Sequence, residues 1–245
     1  MRKINRWVLI MFTLAAVVLR FLQNRTGYDE LGLAVHGNLP GILLPIVLTL
    51  AVLWFGTLSL TMLAERDPTV SPAMYFLFSD GKAPVTLAVS GAFLVLLGAL
   101  LSLISAGGSL QTLLSSLFLL VSAGCIFYAA AALYRGREVS GIALLVPVCA
   151  LVVHLIFLYR ADATDPVLAR IYIELLAVSA LTLSALERAA IVFRNGLPRV
   201  WPSVCAMSVI LGMAAAVDFS SPAAAALFAG LALAEAGFLC ATGFI

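Results

Sequence analysis

The sequence predicts an all-α integral membrane protein, folded as a single polytopic bundle of about eight transmembrane helices over residues 1–245. Composition is the first observation: 63% of the residues are hydrophobic and only 11% are charged, against roughly 25% charged residues in soluble domains. The second is that the apolar residues form runs of about 20, the length that an α-helix needs to cross the hydrocarbon core. These runs are too long, and alternate too little, for the strands of a membrane barrel.

The apolar runs follow one another with short connections. They span residues 7–23, 40–63, 83–106, 110–134, 139–160, 166–193, 199–218 and 221–243. Basic residues precede the first run, Arg20 and Arg25 close it, and no A-x-A cleavage site follows. The first run is therefore expected to be a retained helix and not a removed secretory signal.

Prolines and turn residues mark several predicted helix boundaries. A proline just inside a helix start costs nothing, because the first backbone N–H groups have no partner in the helix. Such prolines are Pro40, Pro84, Pro166 and Pro222. Asp165 and Ser221 precede two of them and are good N-caps. The turn at residues 107–109 is so short that the third and fourth helices must form an antiparallel hairpin.

The distribution of Lys and Arg predicts that both termini lie in the cytoplasm. With the N-terminus inside, ten basic residues fall at cytoplasmic helix ends: Arg2, Lys3, Arg6, Arg66, Lys82, Arg135, Arg137, Arg188, Arg194 and Arg199. Only four fall at the opposite ends: Arg20, Arg25, Arg160 and Arg170. Two loops are longer than a turn. Residues 24–41 lie outside, and residues 65–82 lie inside and have an aromatic core that favours an interfacial segment, with a re-entrant loop as the alternative.

Ionisable residues within membrane helices are energetically costly and tend to mark function. His154 lies in the fifth run and Glu174 in the sixth, and the short linker between these runs makes the two helices antiparallel neighbours. At 1.5 Å per residue, both residues lie at a depth of roughly 10–12 Å from the linker. We therefore expect His154 and Glu174 to approach each other, directly or through a water molecule.

Arg170 and Tyr172 complete the predicted site on the sixth helix. Arg170 lies one turn before Glu174 on the same face and is able to reach it, while Tyr172 belongs to the interface above the pair. The predicted substrate-binding residues are His154, Glu174, Arg170, Tyr172 and Glu235. A packing role stays open, because a contact of Glu174 with His154 or Arg170 also fixes two helices together.

Glu235 lies some 13 residues after Pro222, which places it near the bilayer midplane on a helix rich in Ala and Gly. A midplane carboxylate is expected to face the interior and to hydrogen-bond a polar group on another helix, such as a serine or threonine. Both a structural and a proton-coupled role remain open. Glu187, Arg188 and Arg20 lie nearer to helix ends, and we expect them to snorkel to the interfaces.

Several classes of function are disfavoured by missing motifs. The sequence contains no HExxH, GxSxG, Walker or EExxxR motif, so a catalytic role is not favoured. Only two histidines are present, one of them in a loop, and the only lysines are Lys3 and Lys82. These counts disfavour haem bound by histidine pairs and a retinal Schiff base, and no basic tract with aromatic residues indicates nucleic acid.

The cysteines do not indicate a metal or redox site. Each lies in an apolar run, and none forms a CxxC pair: Cys125, Cys149, Cys205 and Cys240. Small apolar packing residues are the expected role. We therefore predict no cofactor and no metal.

Two segments carry a resemblance to a known family. One is NRWVLIMFTLAAVVLRFLQNRTGYDELGL at residues 5–33, a first helix that closes on a TGYD-type turn. The other is YRADATDPVLARIYIELLA at residues 159–177, with a YR…DPVL…Y…ELLA pattern. Together they resemble a family of uncharacterised polytopic membrane proteins of bacteria. The resemblance covers about a fifth of the chain; it implies the bacterial plasma membrane and no particular activity.

Two hypotheses of different classes follow. The first is a small-molecule or ion transporter, permease-like, with a polar pocket that opens outward near His154 and Glu174. The alternative is a non-catalytic scaffold or accessory subunit that binds other helices or lipid, and a membrane-embedded enzyme comes third. The expected partners are the lipid bilayer, a small-molecule or proton substrate, and a second copy or another membrane subunit. A transporter needs polar groups around a cavity, whereas a scaffold needs a dry core.

We predict that both termini face the cytoplasm, because basic residues favour that side by ten to four. Fusions of green fluorescent protein to either terminus are expected to fluoresce, and fusions of alkaline phosphatase to be inactive. Active phosphatase at either terminus contradicts this topology.

Overall fold

The fold is known from a computed structural model, which describes residues 2–28, 35, 37–64, 82–105, 107, 109–137, 139–162, 168–193, 200–218 and 221–241. These residues form eight α-helices: α1 (Arg2–Thr26), α2 (Leu39–Ala64), α3 (Lys82–Ile104), α4 (Leu110–Tyr134), α5 (Gly141–Asp162), α6 (Leu168–Val192), α7 (Trp201–Ala216) and α8 (Pro222–Ala241). Each helix coincides with one predicted run, and seven are long and apolar enough to cross a membrane. The predicted all-α membrane bundle is confirmed.

Helix α7 differs from the other seven because it has only 16 residues. At 1.5 Å per residue it is about 24 Å long, less than the roughly 30 Å of a bilayer core. It contacts α1, α2, α6 and α8, and most of its side chains are buried, including Trp201 and Cys205. Neighbouring helices therefore surround α7, and the adjacent helices provide most of the lipid-facing surface.

The order of the helices in space follows the chain, except that α8 packs on α3 and that α1 and α2 pack on α7. Each of α3 to α8 packs against its neighbours in sequence, but α8 makes its most extensive contact with α3. Helices α1 and α2 pack on each other and on α7. The chain therefore alternates between two ends of the bundle. We name them the N-terminal end, where α1 begins, and the opposite end, where α1 finishes.

Helices α3 and α8 approach each other so closely that side chains at their contact have no room. A methyl group added at Gly230 would lie 2.6 Å from the backbone nitrogen of Val95 and 2.7 Å from the carbonyl oxygen of Gly91. At Gly237 it would lie 2.6 Å from the backbone nitrogen of Ala88. The small residues of α8 thus allow the backbone approach that the sequence predicts, as in other membrane helix pairs.

Two predicted boundaries have the expected local structure. The Ser221 hydroxyl accepts a hydrogen bond from the backbone N–H of Ala224 at 3.0 Å and caps α8, with Pro222 as its first residue. Gly107, with φ of +52°, lies in the short turn between α3 and α4, which pack together. Asp165, Pro166 and nearly all of the loop at residues 65–82 lie outside the described residues.

We predict that Gly230→Ala lowers the melting temperature in detergent by about 2–12 °C. Overpacking costs about 1–3 kcal/mol, and each kcal/mol shifts the melting temperature of a chain of this size by about 2–4 °C. Gly124→Ala on α4 is the matched control, because nothing lies within 4 Å of an added methyl group there. Equal melting temperatures for the two variants would contradict the close packing of α3 and α8.

Candidate functional site

A buried ion pair joins α6 to α8. The Arg188 guanidinium donates from Nη1 to Oε1 of Glu235 at 2.7 Å. The second carboxylate oxygen of Glu235 accepts a hydrogen bond from the Ser184 hydroxyl at 2.7 Å. Only 2% of Arg188 and 4% of Glu235 are exposed. The prediction that Glu235 faces the interior and bonds a serine of another helix is therefore confirmed.

Helix α7 closes this cluster from a third side. The Cys205 thiol donates towards Oε2 of Glu235 at 3.3 Å, and the Trp201 indole donates to the backbone oxygen of Ser184 at 3.1 Å. Both α7 side chains are buried. Three helices therefore converge on one carboxylate, and Cys205 touches it directly instead of only filling apolar space.

The Arg188 side chain has an unsatisfied hydrogen-bonding edge. Its Nε atom is buried and has no hydrogen-bond partner among the described residues. The guanidinium carbon lies 4.1 Å from the centre of the Phe238 ring, a cation–π contact that holds its plane. Oxygen Oε2 of Glu187 is also buried without a partner in the described part of the chain. Unsatisfied buried polar atoms are uncommon and point to strain or to an unseen ligand.

The depth of the Arg188–Glu235 pair corrects one expectation. Glu235 precedes the last described residue of α8 by six residues, and Arg188 precedes the end of α6 by four. The pair therefore lies in the half of the bundle towards the N-terminal end. The expectation that Arg188 snorkels to the interface is wrong, because Glu235 provides a counter-charge inside the bundle.

A second buried ion pair lies at the opposite end. The Arg20 guanidinium bonds both carboxylate oxygens of Asp218, with 2.9 Å between Nη2 and Oδ2. Its Nη1 donates to Oε1 of Gln23 at 2.9 Å and meets the Tyr28 hydroxyl at 3.4 Å. The Asn24 amide donates to Asp218 at 2.9 Å. Arg20 is fully buried (0% exposed), so the expectation that it snorkels outward is also wrong.

Tyr172 belongs to this second cluster. Its ring centre lies 5.5 Å from the guanidinium carbon of Arg20, a cation–π distance. Helix α6 therefore reaches both clusters, through Tyr172 near its start and Arg188 near its end. Tyr172 was predicted to lie above the His154–Glu174 pair, but its charged neighbour in the structure comes from α1.

His154 bonds to α4 and not to α6. Its Nδ1 lies 3.0 Å from the hydroxyl of Ser115, and its ring packs edge-on against Phe228 of α8 at 6.5 Å between ring centres. Glu174 is half-buried on α6 and has an interaction of its own. The described hydrogen bonds and ion pairs do not join His154 to Glu174, so the predicted direct pairing is not found. The Arg170 side chain lies outside the described residues.

On the described part of the surface lie two open grooves with apolar walls. One, of about 550 Å³, lies between α5 and α6 and is lined by Leu155, Ile156, Tyr159, Arg160, Leu175 and Ser179. The other, of about 600 Å³, lies between α3 and α4. His154 and Glu174 are not among the described residues that line the first groove, although each precedes a lining residue. Within each of the two clusters, the polar side chains instead bond to one another inside the bundle.

The described residues contain no group of three or more His, Cys, Asp or Glu side chains placed to hold a metal ion. Comparisons with protein-family models, curated proteins and solved structures found no match. The bacterial family resemblance therefore stays a prediction. The candidate site rests on geometry alone.

Sequence reasoning identified Glu235 but not its partner. Arg188 and Glu235 lie at similar distances from helix ends on the same side, and a comparison of depths would have matched them. Ser184 lies one turn before Arg188 on α6, so both face α8. No pattern in the sequence indicates that α7 places Cys205 beside this pair, because that contact depends on how three helices pack.

We predict that Arg188→Leu destabilises the protein by about 3–5 kcal/mol, because it leaves the Glu235 carboxylate buried without a counter-charge. Replacement of both partners, Arg188→Met with Glu235→Leu, is expected to cost less than the single change. Thermal unfolding in one detergent measures both. A double variant less stable than Arg188→Leu contradicts a direct energetic coupling of the pair.

Proposed function

We propose that the protein is a multi-pass, permease-like carrier of a small solute or ion in a bacterial plasma membrane, with buried ion pairs that close the bundle at its two ends. The observation that carries the proposal is the Arg188–Glu235 pair. It joins α6 and α8, which otherwise touch only sparsely. An ion pair that bridges two weakly packed helices is suited to hold a contact that opens and closes.

Charged residues are an inefficient means of fixing two membrane helices. An ionised side chain within a bilayer is costly, and apolar replacements of a buried ion pair are often as stable as the pair or more stable. Apolar side chains of similar volume would serve to pack α6 against α8 as well as this pair. Their presence supports a role in which charge itself matters, such as solute binding, ion coupling or gating.

The Arg20–Asp218 pair supplies the matching contact at the opposite end. It ties α1 to the segment that follows α7, while α7 also contributes Cys205 to the first cluster. Alternating access requires that one end close while the other opens. With the termini inside, the Arg188–Glu235 pair faces the cytoplasmic half and the Arg20–Asp218 pair the outer half.

The predicted site residues enter this proposal with different roles. Glu235 is the central charged group, and Tyr172 supports the Arg20 guanidinium at the outer pair. His154, bonded to Ser115, contributes a polar group between the two ends, and Glu174 with Arg170 stays a candidate contact near the outer surface. Glu235→Gln is expected to fold and to abolish pH-dependent uptake if protons are coupled to transport.

A scaffold or accessory subunit is the second candidate, and the apolar grooves favour it. The walls of both grooves are almost entirely apolar, which suits a lipid chain or a partner helix better than a polar solute. In this alternative the ion pairs stay closed at all times, and the core of the bundle is never accessible to water.

Cys205 offers a natural reporter that separates the two candidates. It is buried and touches Glu235, so a water-soluble maleimide reaches it only when the cluster opens. In a background without Cys125, Cys149 and Cys240, we predict that Arg188→Gln accelerates alkylation of Cys205 at least about tenfold. A loss of only about 1.4 kcal/mol from the stability of the closed state raises the population of the open state about tenfold.

Gly230→Ala is the matched control, because it loosens α8 against α3 without touching the ion pair. If the protein is a carrier, Cys205 is expected to be labelled faster in Arg188→Gln than in Gly230→Ala. The two variants are compared at the same interval below their own melting temperatures. Equal labelling rates in the two variants would mean that Cys205 reports general unfolding, and would overturn the gating role of the pair.

A further inference from the structure

Resting on the carrier proposal, we propose that Arg188 is the binding site for an anionic oxygen group of the solute, a carboxylate or a phosphate. Glu235 competes with this anion for the positive charge of Arg188, although the two bind different edges of the guanidinium. In the closed bundle the Glu235 carboxylate occupies Nη1 of Arg188, and the solute anion takes the remaining edge of the guanidinium.

The hydrogen-bond pattern of Arg188 leaves that edge vacant among the described residues. A guanidinium carries five N–H donors in a fixed planar fork, and Glu235 accepts a hydrogen bond from Nη1 alone. Nε is buried without a partner in the described chain. The N–H groups of Nε and Nη2 point in parallel along one edge, which is the arrangement that binds a carboxylate or phosphate through two hydrogen bonds.

The surroundings hold this edge in place. The Phe238 ring covers one face of the guanidinium, and Glu235 is itself fixed by Ser184 and Cys205. Arg188 therefore cannot satisfy Nε by rotation without losing these contacts.

A competition of this kind predicts opposite effects of two conservative variants. Glu235→Gln keeps the shape of the side chain and one acceptor oxygen but removes its negative charge, so Arg188 is left without a counter-ion. Arg188→Gln removes the guanidinium edge itself. An anion that binds only the folded protein raises its melting temperature by mass action.

The experiment measures thermal unfolding of the full-length protein in detergent with sodium acetate, sodium phosphate, or sodium chloride at matched ionic strength. We expect acetate or phosphate to stabilise Glu235→Gln at concentrations at least tenfold lower than those that stabilise the wild-type protein equally. Arg188→Gln and the double variant are expected to show no difference from chloride. Acetate and phosphate distinguish the two anion classes, and nanodiscs of phosphatidylglycerol against phosphatidylcholine distinguish a lipid headgroup from a free solute.

Absence of an anion-specific shift in folded Glu235→Gln overturns the inference, as does an equal shift in Arg188→Gln. Stabilisation only by phosphatidylglycerol also overturns it, because the ligand is then a lipid. If Glu235→Gln does not fold, the comparison of wild type with Arg188→Gln at higher anion concentration decides. Anion binding without faster labelling of Cys205 would retain the anion site and remove the carrier, so the two failures are distinguishable.

Discussion

A charge inside a bilayer has no water to solvate it, so the protein must supply its counter-charge and its hydrogen bonds. This constraint explains the two most polar places in the bundle. Arg188 meets Glu235 at the N-terminal end, and Arg20 meets Asp218 at the opposite end. Ser184 and Cys205 complete the first cluster, and Gln23 and Asn24 of α1 complete the second. The position of α7 follows from the same constraint, because it reaches one pair through Cys205 and the other through the segment after its last residue.

Close packing without large side chains supplies the second constraint. Helix association in lipid gains little from the hydrophobic effect, so it depends on close contact between backbones. Gly91, Gly230 and Gly237 make α3 and α8 the tightest pair in the described bundle. The contrast with α6 and α8, which meet sparsely and through charge, divides the structure into an extensive, close contact and a sparse, polar one. A carrier needs both kinds: one surface that moves as a unit and another that separates.

The transporter and scaffold hypotheses make different use of the same geometry. Apolar grooves on the outside of α3–α4 and α5–α6 are suited to lipid or to another helix. The paired charges inside the bundle are suited to a path that is closed in this conformation. The buried Nε of Arg188, which has no partner among the described residues, supports the transporter hypothesis, because such a donor is available to an anionic ligand.

Long apolar runs determined the class, the number of helices and nearly all their boundaries, because spanning a bilayer imposes a length and a composition that are local properties of the chain. The sequence also identified Glu235 as buried and the small residues of α8 as a packing face. Only the tertiary structure decided which charges meet. Arg20 and Arg188 lie near helix ends and have long flexible side chains, so nothing local distinguishes an arginine that reaches the interface from one that turns inward. That choice depends on Asp218 and Glu235, which are 198 and 47 residues away along the chain. His154 contacts Ser115 and not Glu174 for the same reason. Matched depth is necessary for a contact, but the rotation of each helix about its axis selects the partner. Packing of the whole bundle sets that rotation.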